Sequence, residues 1–177
     1  ARPIDADLRM GLKVAADGIG WGKRENRPGQ AQGLAVGVSD SEAMPVSTAI
    51  ARLLADGSVI LMAGSTEVGQ GARTVLSQIV AHELEIPLEM VIMKGTDTMV
   101  TPFDRSTGAS RSTTVMGNAV KAAAIELRQQ LIDAGAEIFG VDASKVSIEN
   151  GAVVSGDKRL SYGKLICAFY GMSGGEL

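Results

Sequence analysis

The residues best suited to chemistry lie in two polar stretches. The first is Met62-Ala-Gly-Ser-Thr-Glu-Val-Gly-Gln-Gly-Ala-Arg-Thr74. Glycines 64, 69 and 71 allow tight turns and are expected to leave backbone N–H groups uncovered. A helix opening near Gly71 would add its unpaired amides and its positive dipole end at the same place. Together these are the ingredients of an anion site, suited to a phosphate or a polar heterocycle. The stretch is not a P-loop, because no Gly-Lys-Ser/Thr follows, and it lacks the Gly-x-Gly-x-x-Gly dinucleotide fingerprint. A glycine-rich connection that only turns the chain stands beside this reading at even weight.

The second stretch is Thr98-Met-Val-Thr-Pro-Phe-Asp-Arg-Ser-Thr-Gly-Ala-Ser-Arg-Ser-Thr-Thr114. It is longer than most connections in compact domains, and such loops are commonly functional. Ser110 and Ser112 are good N-cap residues, so plain capping accounts for them too. A helix start rich in hydroxyls and free amides would also suit a phosphorylated ligand.

Other reactive side chains lead nowhere. His82 shares a helix face with Thr74, Gln78 and Glu85, opposite the apolar stripe, and reads as solvated. Cys167 has no neighbouring His or cationic cluster and reads as a small buried hydrophobe. No carboxylate pair and no Ser/His/Asp arrangement can be defended, so no catalytic residue is expected in this chain. One Cys excludes an intrachain disulfide, an iron–sulfur cluster and a Cys-based zinc site, and one His excludes a multi-His metal site. The net charge of −3 gives no basic field for nucleic acid or an anionic membrane. No apolar run reaches the ~18 residues of a transmembrane segment. A cytoplasmic location is expected, with the periplasm as the alternative.

The elements that must position these loops follow from periodicity. Residues 1–32 read as a loosely ordered N-terminal helix and loop, the helix over 6–16 being ended by Asp17-Gly18. Leu34 to Val38 reads as a short strand. Two β-rich runs over 46–62 flank Asp56-Gly57, a hairpin signal. Helical spacing of Ala72, Val75, Leu76, Ile79, Val80 and Leu84 predicts a helix near 71–85, stopped by Pro87. Met90 to Met93 reads as a strand. A longer helix is predicted over 111–139, with Met116, Val120, Ala123, Leu127, Leu131 and Ala134 on one stripe. A second hairpin over 145–155 turns at Asn150-Gly151, and 161–170 reads as a short helix. The expected fold is α/β (α+β), one domain over 1–177 with a mixed sheet, two hairpins and two principal helices.

At the two loops the chain resembles the molybdenum-binding large subunit of the xanthine dehydrogenase/aldehyde oxidase family of molybdenum hydroxylases. The resemblance rests on Gly64-Ser-Thr-Glu-Val-Gly-Gln-Gly71 ahead of a helix, Asp97-Thr-Met-Val-Thr-Pro102, Gly108-Ala-Ser-Arg-Ser112 and Gly117-Asn-Ala-Val120. With the flanking hairpins it runs over roughly residues 30 to 165, and the form of the second loop looks like bacterial members. It implies a molybdopterin cofactor, in bacteria often the cytosine dinucleotide, held by loops rather than by side-chain ligands to the metal. Carried over, Gly69, Gln70 and Gly71 would contact the pterin. Ala109, Ser110, Arg111 and Ser112 would supply backbone amides and hydroxyls around the pterin and its phosphate, with the Ala109 backbone nearest the molybdenum. The implied reaction is hydroxylation of an aldehyde or N-heterocycle with water-derived oxygen. The family's Gly-Phe-Gly-type segment and its Gly-Glu motif, which carries the catalytic glutamate, have no match here.

The chain opens at Ala1-Arg2-Pro3 and stops at Gly175-Glu176-Leu177, and both ends are expected to be cuts in a longer protein. The expected entity is therefore a section of a larger molybdopterin-binding domain, inactive and without cofactor when isolated. Its expected partners are the remainder of its own subunit and iron–sulfur and flavin domains or subunits. Self-association through faces left uncovered is expected as well. The alternative from another class is a non-catalytic α/β module binding a phosphorylated ligand or a partner protein.

Overall fold

The structure is a computed structural model that describes residues 7–23, 25–37 and 46–171. The chain divides into two compact units, Ala1–Asp40 and Ser41–Leu177. In the first, helix α1 spans Leu8–Ile19. The Asp7 carboxylate caps it by accepting from the Met10 N–H at 2.9 Å. The helix runs past Asp17-Gly18 and stops at Gly20, the first glycine to adopt the left-handed conformation (φ 64°) that a helix C-terminus favours. No α1 residue is buried. Residues 34–37 form no strand, and Val38 lies outside the described residues.

The second unit carries the site. Strands β1 (Ala49–Leu53), β2 (Val59–Ala63) and β3 (Val91–Met93) form a mixed sheet in that order, β1 antiparallel and β3 parallel to β2. Alternation sorts the faces: Leu53, Val59, Leu61, Ala63 and Val91 are buried, while Ile50, Arg52 and Ile92 point outward. The turn between β1 and β2 is fixed by Asp56, whose Oδ1 accepts from the Ser58 amide at 2.8 Å and from its hydroxyl at 2.6 Å.

Parallel strands need a crossover, and helix α2 (Ala72–Leu84) supplies it. Its buried stripe, Leu76, Val80 and Leu84, joins Met116 and the Val120, Ala124, Leu127 and Leu131 stripe of α3 (Gly117–Phe139) over the inner sheet face. The apolar stripe of α3 passes through Ala124, with Ala123 only half-buried.

The second hairpin forms its own antiparallel sheet of β4 (Ser147–Glu149), β5 (Ala152–Ser155) and β6 (Lys158–Ser161). The sequence reading missed β6, whose run Lys-Arg-Leu-Ser has little strand character. Gly135 lets α3 approach this sheet, because a Cβ there would sit 3.2 Å from Val153. Helix α4 (Tyr162–Tyr170) then closes the core. Its first residue is buried and donates its phenol to the Leu84 carbonyl at 2.7 Å. Among the described residues no helix is long and apolar enough to cross a membrane.

Candidate functional site

Because β2 and β3 run parallel, the loops that leave them emerge at the same sheet end. Ligand crevices in open sheets form outside the carboxyl ends of strands. The loop after β2 (64–71) and the loop after β3 (94–111) meet there and are stitched together. The Thr107 hydroxyl accepts from the Thr66 amide at 2.8 Å and donates to the Thr66 carbonyl at 3.2 Å. The Thr96 hydroxyl donates to the Ser65 carbonyl at 3.2 Å. Gly64 permits this contact: a Cβ there would stand 2.8 Å from both the Pro102 carbonyl oxygen and the Asp104 Cβ.

Within the first loop, the expectation of uncovered amides is corrected. Glu67 folds back so that its Oε1 accepts from the Gly69 and Gly71 amides, at 2.8 and 3.0 Å. Its Oε2 accepts from the Arg73 amide at 3.1 Å. The bond to Arg73, then those to Gly71 and Gly69, and finally the Arg73 charge hold this carboxyl below the usual carboxylate range. The start of α2 is therefore filled by the chain's own carboxylate. Gln70 is held by its loop as well: its Oε1 accepts from the Val68 amide at 2.7 Å and its Nε2 donates to the Thr66 carbonyl at 2.9 Å.

The second loop is braced from beneath. Asp97 organises its first half, accepting from the Met99 amide through Oδ1 and from the Thr101 amide and hydroxyl through its carbonyl. In its second half the Arg111 amide donates to the Gly108 carbonyl at 3.1 Å, closing a turn over Ala109 and Ser110. Both central residues have positive φ, 50° and 54°. The Arg111 side chain is buried, ion-paired with Asp104 at 2.7 Å. The next residues, Ser112–Met116, form one wide π turn that leads into α3. The residue at the cap position, Arg111, makes no side-chain cap bond, and the leading amides of a helix have no intrahelical acceptor.

Between the loops lies a concavity of about 460 Å³, lined by Val68, Gln70, Thr107, Gly108, Ser110, Ser112 and Thr113. It brings together Gln70, Ser110 and Ser112, three of the residues singled out in the sequence. Gly69 and Gly71 shape the first loop with their amides turned to Glu67, and Ala109 is exposed beside Ser110. The Arg111 side chain lies beneath the loop. Beside Val68 and Gly108 the lining has one carboxamide and four hydroxyls, the Thr107 hydroxyl being engaged by Thr66, and no acidic group, which fits an anionic, hydrogen-bonding ligand.

A cavity of about 500 Å³ lies elsewhere, between the β1–β2 turn and α4, with Ile86, Pro87, Met90 and Cys167 in its wall. Cys167 is half-buried there rather than fully buried. Asp56 also borders it, with its Oδ1 bonded to Ser58 within the turn. His82 is exposed on α2 beside Glu83 and Lys121.

The sequence reading missed Glu67, Thr66, Thr107, Asp104 and Ser47. Glu67 was legible in principle, since an acid just ahead of a helix start is favoured by the dipole. Thr66 and Thr107 pair across 41 residues, and Ser47 meets Asp104 across 57 and Arg111 across 64, so these pairings carry no local signal; Asp104 also pairs with Arg111 seven residues on.

The family model for the molybdopterin cofactor-binding domain matches residues 13–176. The chain belongs to this family. Among similar proteins is the xanthine dehydrogenase molybdenum-binding subunit of Escherichia coli O157:H7, 36% identical over 159 residues, covering 83% of this chain and 21% of that subunit. Aldehyde oxidase 1 of Rattus norvegicus is 36% identical over 96 residues, covering 54% of this chain and 7% of that protein. Among solved structures, reconstituted CO dehydrogenase from Oligotropha carboxidovorans aligns with a TM-score of 0.66 at 27% identity, covering 73% of this chain and 17% of that one. The chain thus spans about a fifth to a quarter of the length of the bacterial subunits it matches. A molybdopterin-binding domain fits the hydroxyl-lined groove, and the similarities favour it over an unrelated phosphate-binding module.

Proposed function

We propose that this domain forms one wall of the cofactor site in a molybdenum hydroxylase, an oxidoreductase that hydroxylates an aldehyde or N-heterocycle with water-derived oxygen. The observation that carries the reading is the groove shared by the two loops. When bound, molybdopterin supplies two-electron redox chemistry, and the chain's own residues bind and orient it. Gln70 has its carboxamide plane fixed by two bonds within its loop, yet keeps one N–H and one lone pair for a heterocycle edge. Ser110, Ser112 and the uncapped start of α3 suit the phosphate, since they combine hydroxyl donors with open amides and a favourable dipole. Gly69 and Gly71 hold the shape of the first loop, and the Ala109 backbone borders the metal end.

No residue of this chain is assigned as catalytic base. The glutamate of the family's Gly-Glu motif is proposed to lie in another part of the subunit, so the isolated chain is inactive. The domain would act with the remainder of its subunit and with iron–sulfur and flavin domains or subunits, in a bacterial cytoplasm. The cytosine dinucleotide is the proposed cofactor form. The exposed Met99, Phe103 and Val68 near the groove support self-association of the isolated chain, and a monomer at high concentration in ultracentrifugation would count against it.

The test is metal and pterin analysis of the intact protein purified from its natural host. About one molybdenum and one organic pterin per polypeptide, with cytidine monophosphate released on hydrolysis, is the expected result. Protein lacking both molybdenum and pterin would overturn the reading.

A further inference from the structure

We infer that Arg111, through its buried pair with Asp104, is a positioning residue that holds the Ala109–Ser110 turn in shape and so keeps Ser110 and Ser112 in the groove wall. The inference rests on the cofactor reading above only for what the groove binds.

The turn is unusual for its residues. Successive positive φ values of 50° and 54° at Ala109 and Ser110 belong to turns that ordinarily take Asn and Gly. Side chains of L-residues enter this region against steric resistance, and a local outlier persists only where its surroundings over-determine it. Among the described residues the other non-glycines with positive φ, Glu85 and Asn150, sit at a helix end and at a hairpin turn, where the conformation is routine. Ala109 and Ser110 therefore need a separate brace.

That brace is directly beneath them. Arg111 is only 2% exposed and follows Ser110 in sequence. Its Nη1 donates to the Asp104 carboxylate and to the Ser106 carbonyl, both at 2.7 Å. Its Nη2 donates to the Val46 carbonyl at 2.8 Å and to the Ser47 hydroxyl at 3.0 Å. Ser47 in turn donates to Asp104 at 2.7 Å. One planar fork thus ties the loop to itself and to the segment entering β1. A lysine ammonium could not serve acceptors in that arrangement, because it offers a point charge in place of a fork. Both Nη nitrogens are engaged by protein partners, so Arg111 acts on the groove through the backbone it anchors.

The experiment uses the intact protein with three variants: Arg111→Lys, the double change R111K/A109G, and Ser47→Ala. Cofactor content is read as molybdenum and pterin per polypeptide, and loop conformation as hydrogen exchange of the Arg111 and Val115 amides, bonded to the Gly108 and Arg111 carbonyls, in cofactor-free protein. Losing the fork is expected to speed exchange in this segment and to lower cofactor content, each by about tenfold, with the exchange of the α3 core unchanged. Glycine at 109 accepts the left-handed conformation without resistance and leaves the Ser110 hydroxyl in place, so the double variant is expected to recover part of the lost cofactor. A purely structural role for Arg111 predicts no such rescue. Wild-type exchange and cofactor content in Arg111→Lys, or a double variant no better than the single one, would overturn the inference. Should Arg111→Lys not fold, Ser47→Ala removes one partner only and is expected to shift both readouts about two- to fivefold in the same direction, and no shift would overturn it. Wild-type protein devoid of cofactor would remove the functional reading, while the exchange measurement would still decide the brace.

Discussion

Gly64→Ala is the sharpest probe of the seam between the two loops. The added methyl would stand 2.8 Å from the Pro102 carbonyl oxygen, 2.8 Å from the Asp104 Cβ and 3.0 Å from the Asp104 amide nitrogen. These atoms are backbone or backbone-anchored, so no flexible chain end can swing aside. Reaching ordinary contact at about 3.5 Å requires the loops to part by about 0.7 Å. The Thr66–Thr107 bonds at 2.8 and 3.2 Å lie next to the clash and would stretch beyond the useful hydrogen-bond range. Overpacking of this kind costs about 1–3 kcal/mol, and one or two weakened exposed bonds add about 0.5–1 kcal/mol. For a chain of this size about 2–4 kcal/mol corresponds to a fall in Tm of about 5–15 °C. The matched control is Gly108→Ala in the groove wall itself, where a Cβ meets nothing within 4 Å and φ is not positive. Calorimetry on both variants, with hydrogen exchange at Thr66, tests the difference. A Gly64→Ala protein melting within about 2 °C of wild type, or a Gly108→Ala protein as unstable as it, would refute the seam argument.

Three further outcomes are expected. Tyr162→Phe should cost about 1–3 kcal/mol in chemical denaturation, because the buried Leu84 carbonyl loses its donor. Burial, then the Glu85 charge, raises the Tyr162 phenol above its ordinary value. Its stabilising contribution is therefore complete below about pH 10 and is lost as pH rises further, and Tyr162→Phe should flatten that alkaline loss. Glu67 works in the opposite sense: its lowered pKa gives stability present above about pH 4.3 and lost as pH falls through the folded value. Glu67→Gln should weaken the acid dependence of the unfolding midpoint, and an unchanged profile would exclude the cap. Leu131→Ala, at a fully buried position between the helices and the sheet, should lose about 2–5 kcal/mol in the same assay.

Much of the fold was legible because its signals are local. The apolar spacing of α2 and α3 and the Asn150-Gly151 turn, whose φ values are 46° and 70°, each lie within a few residues of chain. What escaped had non-local causes. Strand β6 exists because Val153 and Val154 pair with Leu160 and Arg159, not because Lys158–Ser161 favours a strand. Helix α1 overran Asp17-Gly18 because Gly20, rather than Gly18, takes the left-handed cap. At the site, the loops were recognisable from their glycines and hydroxyls. Which amides are open was not, because that depends on where one side chain, Glu67, folds back.

That last point changes how the two helix starts should be weighed. From composition they look alike, each a polar loop feeding a helix. In the structure the amides that open α2 already hold a carboxylate at 2.8–3.1 Å, and a ligand phosphate placed there would have to displace it against like charge. The start of α3 has no side-chain cap and is preceded by a cation, Arg111, neutralised by Asp104 beneath it. A phosphate placed at the start of α3 would instead find the Ser110 and Ser112 hydroxyls and no competing acid in the groove lining. What the α2 loop keeps to offer is the fixed carboxamide of Gln70, a donor and an acceptor in one plane, which matches a heterocycle edge and not an anion. The two loops thus offer different chemistry, a fixed carboxamide edge on one side and hydroxyls beside a helix start on the other.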